Sequence, residues 1–512
     1  MEMDKKKNNL AEFWESNKRS FGVVVILLTV AYGMKIFHLA ISHDTEAVIS
    51  VPDNMYFSWI AMGRFGLVAI KYLLGLEVFN PYLAAVLAFL MLVINSIFWE
   101  YLFWKITVYK KNFSKVSWIF PAMFLTAPIM ADQFSFLLQA FEVQLAVLFV
   151  GIALFLIYNP SVSGTGCVLL KMTGACALLI LSFSCYQSTV PLFIAGTCSS
   201  FLLMYPALRH KWRALFKAVA CFAVSFILYE VVSKLVMWCM NIPATEYISD
   251  QIFWGQRPFR ECVMNILRHI KQVLTGEGIF FSISYLLAFI MLFLLLVYKV
   301  VKKREEVPWL LLASATLMAA PFLMSIVLGQ APTTRVQIVL PFVFGFVFQF
   351  FFLQWDFRPA LGSRVGAAAG IAILALCLEQ CVWDARIYYT EYVVYDEDVR
   401  LAEKISDRID QLNLGESPEE PVVFVGSRIP ALNPSAYAHI SMSGYSFFEI
   451  SFSTAHGTWV MRNFMMTLGY NYKYPSDEQF IAAEEYAKTM ESWPNTNSVA
   501  VHDGMIIVKL SD

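Results

Sequence analysis

The chain has 512 residues, of which 58% are hydrophobic and 15% are charged, and its formal net charge is −1. A soluble protein carries about 25% charged residues, so this composition excludes an ordinary soluble globular protein, and we expect no nucleic-acid partner. The charge deficit comes from repeated apolar runs, each close to the roughly 20 residues that span a bilayer as a helix.

Eleven apolar runs predict eleven membrane helices, and therefore a mainly α fold, a polytopic helical bundle. The runs lie near residues 21–41, 80–104, 116–131, 137–157, 167–186, 189–205, 214–240, 279–301, 307–329, 336–355 and 364–383. The first run is too long for the apolar part of a secretory signal, so we interpret it as an uncleaved membrane helix.

Lysine and arginine collect in alternate loops, which is the pattern of cytoplasmic loops in membrane proteins. The basic residues of these loops are Lys105, Lys110, Lys111, Lys115, Lys171, Arg209, Lys211, Arg213, Lys217, Lys302, Lys303, Arg304, Arg358 and Arg364. The loops at 132–136 and 187–188 have no basic residue. This pattern predicts a cytoplasmic N-terminus and places the loops 42–79, 241–278 and 330–335 on the outer side.

The last part of the chain, residues 384–512 (the tail), is more polar than the predicted membrane domain, residues 1–383. About 130 residues is enough for a small α/β domain, and the charge pattern places this domain outside the membrane. Its predicted elements are helices at 396–413 and 477–490, a strand at 421–425, and a hairpin at 498–510 that turns at Asp503-Gly504.

The loop at 42–79 (the first loop) is where a polar site is most clearly indicated. Asp44 and Glu46 follow the first membrane helix directly. If residues 43–47 are extended, side chains two positions apart point the same way, and both carboxylates face one pocket. Carboxylates beside a membrane helix are typical of functional sites. A solvated loop with a helix N-cap is an equally good alternative.

Three basic residues of the predicted outer loops are candidate phosphate ligands. Arg64 and Lys71 are seven residues apart, so they share one face of a predicted helix that follows Pro52 and lies in the membrane interface. Arg335 lies in a short outer loop, where the distribution of positive charge disfavours arginine. Because arginine binds phosphate through paired hydrogen bonds, we predict that these side chains hold a lipid phosphate at the outer surface.

Further side chains near this surface are candidates for contacts with a sugar donor or acceptor. They are Lys35, His43, Arg257 and Arg260. Ordinary solvation is the alternative for the two arginines, which lie at the start of a second predicted interfacial helix at 259–274. We expect no metal site built by protein side chains alone, but a divalent cation, Mg²⁺ or Mn²⁺, can bridge Asp44 and a donor phosphate.

This inventory suits transfer of a sugar from a phosphate-linked lipid. Hydrolysis of a simple glycoside needs two carboxylates, one of which protonates the leaving group. A sugar phosphate leaves as a phosphate anion, so one base for the acceptor hydroxyl and positive charge for the phosphate suffice. Nucleotide sugars are not expected outside the cell, so a site on the outer surface needs a donor that is carried by a lipid.

Two segments of the first loop, HDTEAVI at 43–49 and WIAMGRFGLVAIK at 59–71, resemble the bacterial Gtr type II glucosyltransferase family. RVQIVLP at 335–341 and the ending GMIIVKLSD support this resemblance. It implies a GT-C architecture in the bacterial cytoplasmic membrane, with a catalytic acid in the first outer loop. It also implies a polyprenyl-phosphate sugar donor, glucose as the sugar, and a cell-surface polysaccharide or glycolipid acceptor.

Carried over, the family's acidic motif falls on Asp44 and Glu46, and its GR motif falls on Gly63-Arg64. Many relatives have two adjacent acids, whereas Thr45 separates them here, which leaves open which acid is the base. A flippase and a polyprenyl-phosphate glucosyl synthase encoded beside this chain would favour this interpretation. The alternatives are a polysaccharide polymerase or ligase with a lipid-diphosphate donor, and a lipid or sugar transporter or flippase.

Overall fold

A computed structural model describes residues 2–159, 165–208, 210–243, 249–302, 307–355, 360–415, 418–449 and 452–512. Within these residues, nine helical segments are long and apolar enough to cross a membrane. They are Leu10–Phe37, Pro81–Ile106, Leu137–Tyr158, Gly166–Cys185, Thr189–Ala207, Lys211–Cys239, Ser284–Val301, Val307–Leu328 and Ala360–Asp410. The chain is therefore a multi-pass membrane protein, and the expected helical bundle is confirmed.

Two of the eleven predicted membrane helices differ from these spans. The run at 116–131 is broken into short helices, Ile119–Leu125 and Pro128–Ser135. Proline disfavours a helical conformation in the residue before it, and Ala127 is accordingly extended, with φ −71° and ψ 139°. The run at 336–355 gives the 15-residue helix Val339–Leu353, about 22 Å long, which is shorter than the roughly 30 Å hydrocarbon layer.

Loops that the charge pattern places outside meet on one side of the bundle. The Ser42 hydroxyl donates to the carbonyl of Ser135 at 3.1 Å. The side-chain amide of Gln187 donates to the carbonyl of Met62 at 2.7 Å. The loops at 132–136 and 187–188 therefore both contact the first loop, as expected for loops on the same side of the membrane.

Two segments that the same pattern places in the cytoplasm also meet. The Asn112 side-chain amide donates to the carbonyl of Trp355 at 2.8 Å. The predicted cytoplasmic residues Arg209, Lys303, Arg304 and Arg358 lie outside the described residues. Which side of the bundle faces the cytoplasm stays a prediction.

The first loop folds into three short helices, Thr45–Ser50, Pro52–Ala61 and Phe65–Leu74. The single helix expected after Pro52 is thus divided in two by a turn at Gly63. Gly63 has φ +77°, and a Cβ atom there would lie 2.7 Å from the Tyr229 hydroxyl. Only glycine fits this turn without strain, which explains the glycine of the GR motif. The turn places Arg64 at the N-cap of the helix Phe65–Leu74.

The helix at the second predicted interfacial position is present as Phe259–Thr275 (the amphipathic helix). The helix Ser284–Lys302 follows it and enters the bundle. The helices Val307–Ala319 and Leu323–Leu328 together form the next membrane span.

The tail begins inside a helix, because Ala360–Asp410 runs through residue 384 without a break. Its three strands are β1 (Val422–Val425), β2 (Val499–His502) and β3 (Met505–Lys509), in the order β1-β3-β2. β1 pairs with β3 in parallel, and β2 and β3 form the predicted hairpin. The division of the chain at 383/384 into two domains stays a prediction.

Two helices complete the tail, Asp477–Ala487, which was expected, and Thr454–Thr467 (the tail helix). The hydrophobic core of the tail includes Ile41, which lies just before the first loop. Conversely, Ile440 of the tail belongs to the core of the membrane bundle. The tail and the first loop therefore pack as one body around shared apolar side chains.

Candidate active site

Asp44 lies at the N-cap of the helix Thr45–Ser50, but its carboxylate makes no capping hydrogen bond. Its backbone is left-handed, with φ 70°, which is uncommon for a residue other than glycine. Such strain persists only where the surroundings impose it, and it is most frequent at functional sites. The side chain is half-buried, whereas the alternative, a solvated loop with an N-cap, predicts an exposed side chain that caps the helix.

Three cationic or titratable side chains act on the Asp44 carboxylate. Burial raises the pKa of Asp44, and the charges of Arg335, His456 and Arg64 oppose this rise. These residues come from the loop before Val339–Leu353, from the tail helix and from the first loop. The sequence pattern indicated Asp44, Arg64 and Arg335 separately. In the folded chain, the charges of the two arginines act on the Asp44 carboxylate.

Glu46 differs sharply from Asp44. It is 1% exposed, and its oxygens have no side-chain hydrogen-bond partner among the described residues. Burial and the nearby Asp44 carboxylate raise the pKa of Glu46 well above its usual value. The segment is helical from Thr45 and not extended, so the condition under which both carboxylates were expected to face one pocket is not met.

Arg335 is held by contacts on several sides. Its guanidinium lies over the ring of Phe136, 4.1 Å from the centroid. The hydroxyl of the preceding Thr334 donates to the Asp132 carboxylate. The Tyr186 hydroxyl donates to the Arg335 carbonyl at 3.4 Å. The loop is therefore fixed by its neighbours, and the charge of Arg335 acts on Asp44.

Asp132 is a residue of this site that the sequence did not indicate as functional. It is buried, and it accepts hydrogen bonds from Thr334 and from Ser441 of the tail. Burial raises its pKa, whereas these hydrogen bonds and the charge of Arg335 lower it. The available signal in the sequence was an acidic residue in the short loop between the apolar runs 116–131 and 137–157.

Arg64 is oriented by two glutamines at the ends of membrane helices. Its Nε donates to Gln187 Oε1 at 3.1 Å, and its Nη1 donates to Gln139 Oε1 at 3.3 Å. The guanidinium also lies 5.3 Å from the centroid of the Tyr186 ring. Tyr186 thus contacts both arginines, through its ring and through its hydroxyl.

Two predicted phosphate or substrate ligands are instead engaged in buried ion pairs. Lys71 Nζ lies 2.8 Å from Glu142, and both side chains are 2% exposed. Lys35 Nζ lies 2.6 Å from Glu391, and these side chains are 1% and 2% exposed. Each lysine is therefore engaged by a buried carboxylate, and its role as a substrate contact stays a prediction. The basic interfacial face expected from Arg64 and Lys71 together does not form.

The remaining candidates are not among the groups that act on the charge of Asp44. Arg257 and Arg260 are exposed near the start of the amphipathic helix, where Arg257 lies 5.6 Å from the Phe253 ring centroid. His43 is buried, and its Nε2 donates to the Ser446 carbonyl of the tail at 3.1 Å. Burial lowers the pKa of His43 to about 4, so it is a neutral contact between the first loop and the tail.

Within the described parts of the chain, no group of three or more His, Cys, Asp or Glu side chains is arranged to hold a metal ion. Asp44 can still contribute one carboxylate ligand to an ion whose other ligands come from a phosphate and water. A divalent cation that bridges Asp44 and the donor phosphate therefore stays a prediction.

Comparisons with known proteins bear on this site. A family model described as glucosyl transferase GtrII matches residues 33–352, which include Asp44, Arg64 and Arg335 but not the tail. The fold is also similar to the crystal structure of ArnT from Cupriavidus metallidurans bound to undecaprenyl phosphate. The identity is 12%, the similarity covers 95% of this chain and 97% of that chain, and the TM-score is 0.46. No curated protein matches the chain significantly.

Proposed function

Because this chain belongs to the glucosyl transferase GtrII family, and is therefore a membrane glycosyltransferase, we propose that it moves a hexose from a polyprenyl-phosphate donor to a cell-surface glycan. Glucose is the sugar that the family description favours. The observation that carries the proposal is the position of Asp44, a half-buried carboxylate that Arg64 and Arg335 face from different elements. An acid for the acceptor and cations for a phosphate are the two groups that this reaction needs.

In the proposed reaction, Asp44 takes the proton from an acceptor hydroxyl. The hydroxyl oxygen forms a bond to the anomeric carbon as the bond from that carbon to the phosphate oxygen breaks. The electron pair of the broken bond stays on the phosphate, whose growing negative charge Arg64 and Arg335 stabilise. The phosphate needs no proton, which is why a single base suffices.

Between the two acids, the surroundings favour Asp44 as the base. A base must be ionised and must reach the acceptor, and Asp44 is partly accessible and lies among cations. Glu46 is enclosed, and burial raises its pKa well above the usual value without an opposing cation, so it is the poorer candidate. We assign Glu46 to a supporting role behind Asp44, as a group that fills the interior of the loop.

The site's depth fits a lipid-borne donor. The first loop contains short helices beside the ends of the membrane helices, so Arg64 lies near the level of lipid headgroups. We place this side of the bundle outside the bacterial cytoplasmic membrane, with a cytoplasmic N-terminus, on the distribution of lysine and arginine. A flippase and a polyprenyl-phosphate glucosyl synthase would then supply the donor from the inside.

The test is transfer of radiolabelled glucose by the purified full-length protein in liposomes. The sugar donors to compare are polyprenyl-phosphate glucose, a polyprenyl-diphosphate oligosaccharide and UDP-glucose. The acceptor is surface polysaccharide isolated from a strain of the source bacterium that lacks this gene. We expect label in the polysaccharide only with the first donor, and a parallel reaction with EDTA tests the divalent cation.

Two results would replace this proposal. Incorporation only from the diphosphate-linked oligosaccharide would indicate a polymerase or ligase. Movement of the labelled lipid between leaflets without any transfer would indicate a transporter or flippase. Such a transporter would need polar or broken helices near the bilayer midplane.

A further inference from the structure

The tail forms one wall of the candidate active site although it lies outside the segment that the family model matches. Its Ser441 hydroxyl donates to Asp132, beside the Arg335 loop. On the first loop, the Ser50 hydroxyl donates to the Asn463 carbonyl of the tail helix at 2.8 Å. Together with the His43 contact to Ser446, these bonds fix the tail helix against Thr45–Ser50. Side chains of the tail helix are therefore held in place next to Asp44.

His456 is the residue that the tail helix presents to Asp44. It lies in the first turn, where its backbone N–H is capped by the Ser453 hydroxyl at 3.2 Å. Asp44 and His456 each act on the other's charge, so the imidazole is close to the proposed base. Its Nδ1 atom is buried and has no hydrogen-bond partner among the described residues. A buried polar atom without a partner is costly and calls for an explanation in a native structure.

Phe452 extends the same surface outwards. Its side chain is 87% exposed, and its ring centroid lies 5.0 Å from that of His456. Contact of an exposed phenylalanine ring with water costs free energy, and this cost is removed when an apolar surface packs on the ring. The face of an aromatic ring carries partial negative charge, which favours contact with the weakly positive C–H groups on one face of a sugar ring.

We propose that Phe452 and His456 form the acceptor side of the site. One sugar ring of a surface polysaccharide packs on the exposed ring of Phe452, and one of its hydroxyls forms a hydrogen bond with the imidazole of His456. A neighbouring hydroxyl of the glycan then faces Asp44. This inference rests on the proposed function for the identity of the reaction, but the glycan-binding step can be measured without a sugar donor.

The tail itself offers a matched control for these two residues. Tyr486 and His502 also form an aromatic–histidine pair, with ring centroids 3.9 Å apart, on the tail. Neither is among the groups that act on Asp44. The test variants are therefore Phe452→Ala and His456→Gln, and the control variants are Tyr486→Ala and His502→Gln.

Two measurements on the full-length protein in detergent test the proposal. The first is binding of polysaccharide isolated from a strain that lacks this gene, without any sugar donor. The second is release of labelled glucose from polyprenyl-phosphate glucose into water, which needs no acceptor. We expect Phe452→Ala and His456→Gln to weaken polysaccharide binding and raise the acceptor KM about five- to tenfold, the effect of one lost contact. In the control variants Tyr486→Ala and His502→Gln, binding and release into water both stay within about twofold of the wild type, whereas His456→Gln is judged on binding, because His456 acts on the charge of Asp44.

The outcomes separate this inference from the proposed function. The acceptor surface is supported if the test variants lose polysaccharide binding and the control variants keep it. The conservative variant Phe452→Trp should also keep binding. This holds even if no labelled sugar is released by any variant, a result that would overturn only the polyprenyl-phosphate donor. Wild-type binding in both test variants overturns the acceptor surface. Equal loss of binding in test and control variants also overturns it, because the effect is then a general one on the tail.

Discussion

The sharpest prediction distinguishes the two acids of the first loop by isosteric substitution. Asp44→Asn removes the proposed base, and asparagine tolerates the left-handed backbone that Asp44 adopts, so the loop keeps its shape. Loss of a general base lowers a rate by about 10²- to 10⁴-fold, which corresponds to about 3–5 kcal/mol in the activation barrier. Glu46→Gln keeps the shape of this enclosed side chain and removes only its ability to ionise. We expect it to lower kcat less than about fivefold, or about 1 kcal/mol.

The assay is transfer of labelled glucose from polyprenyl-phosphate glucose to polysaccharide, measured at saturating concentrations of both substrates. Thermal unfolding of each variant in detergent shows whether the fold is kept. If Asp44→Asn retains more than a tenth of the wild-type kcat, Asp44 is not the base. If Glu46→Gln loses as much activity as Asp44→Asn while it unfolds at the wild-type temperature, the distinction drawn from burial is wrong.

Further predictions concern one cation, one buried ion pair and one histidine. Arg335→Gln removes a charge that lowers the pKa of Asp44 and binds the donor phosphate. It should raise the donor KM at least tenfold and move the acidic limb of the kcat/KM profile to higher pH, whereas an unmoved limb contradicts the placement. Lys71→Met leaves Glu142 buried without its cation and should lower the free energy of unfolding by about 3–5 kcal/mol. The double variant with Glu142→Met should recover most of this loss with an unchanged donor KM; a raised KM would restore Lys71 as a phosphate ligand. The pKa of His43 is lowered from 6.5 to about 4, so the unfolded state binds the proton more readily and stability is lost as pH falls from about 6.5 to 4. Unfolding of the wild type at these pH values should reveal a loss of about 3 kcal/mol that His43→Asn lacks.

Much of the fold follows from local properties of the sequence. The length and hydropathy of an apolar run depend only on adjacent residues, so nine of the eleven expected membrane helices are present as spans. The hairpin at Asp503-Gly504 and the strand at 421–425 were likewise local patterns. The prediction of one membrane helix at 116–131 is wrong. Hydropathy averages over Pro128, whose effect is on backbone conformation and not on polarity.

The sequence by itself determined that this is a multi-pass membrane protein with an acid and cations in its first loop. It could not determine how the charges pair, because an ion pair between distant segments depends on which helix faces are packed together. Only the tertiary structure showed that Lys71 is neutralised by Glu142, whereas the charge of Arg335 acts on Asp44. Only packing placed His456 of the tail beside the first loop, since no local pattern relates residues that lie at opposite ends of the chain.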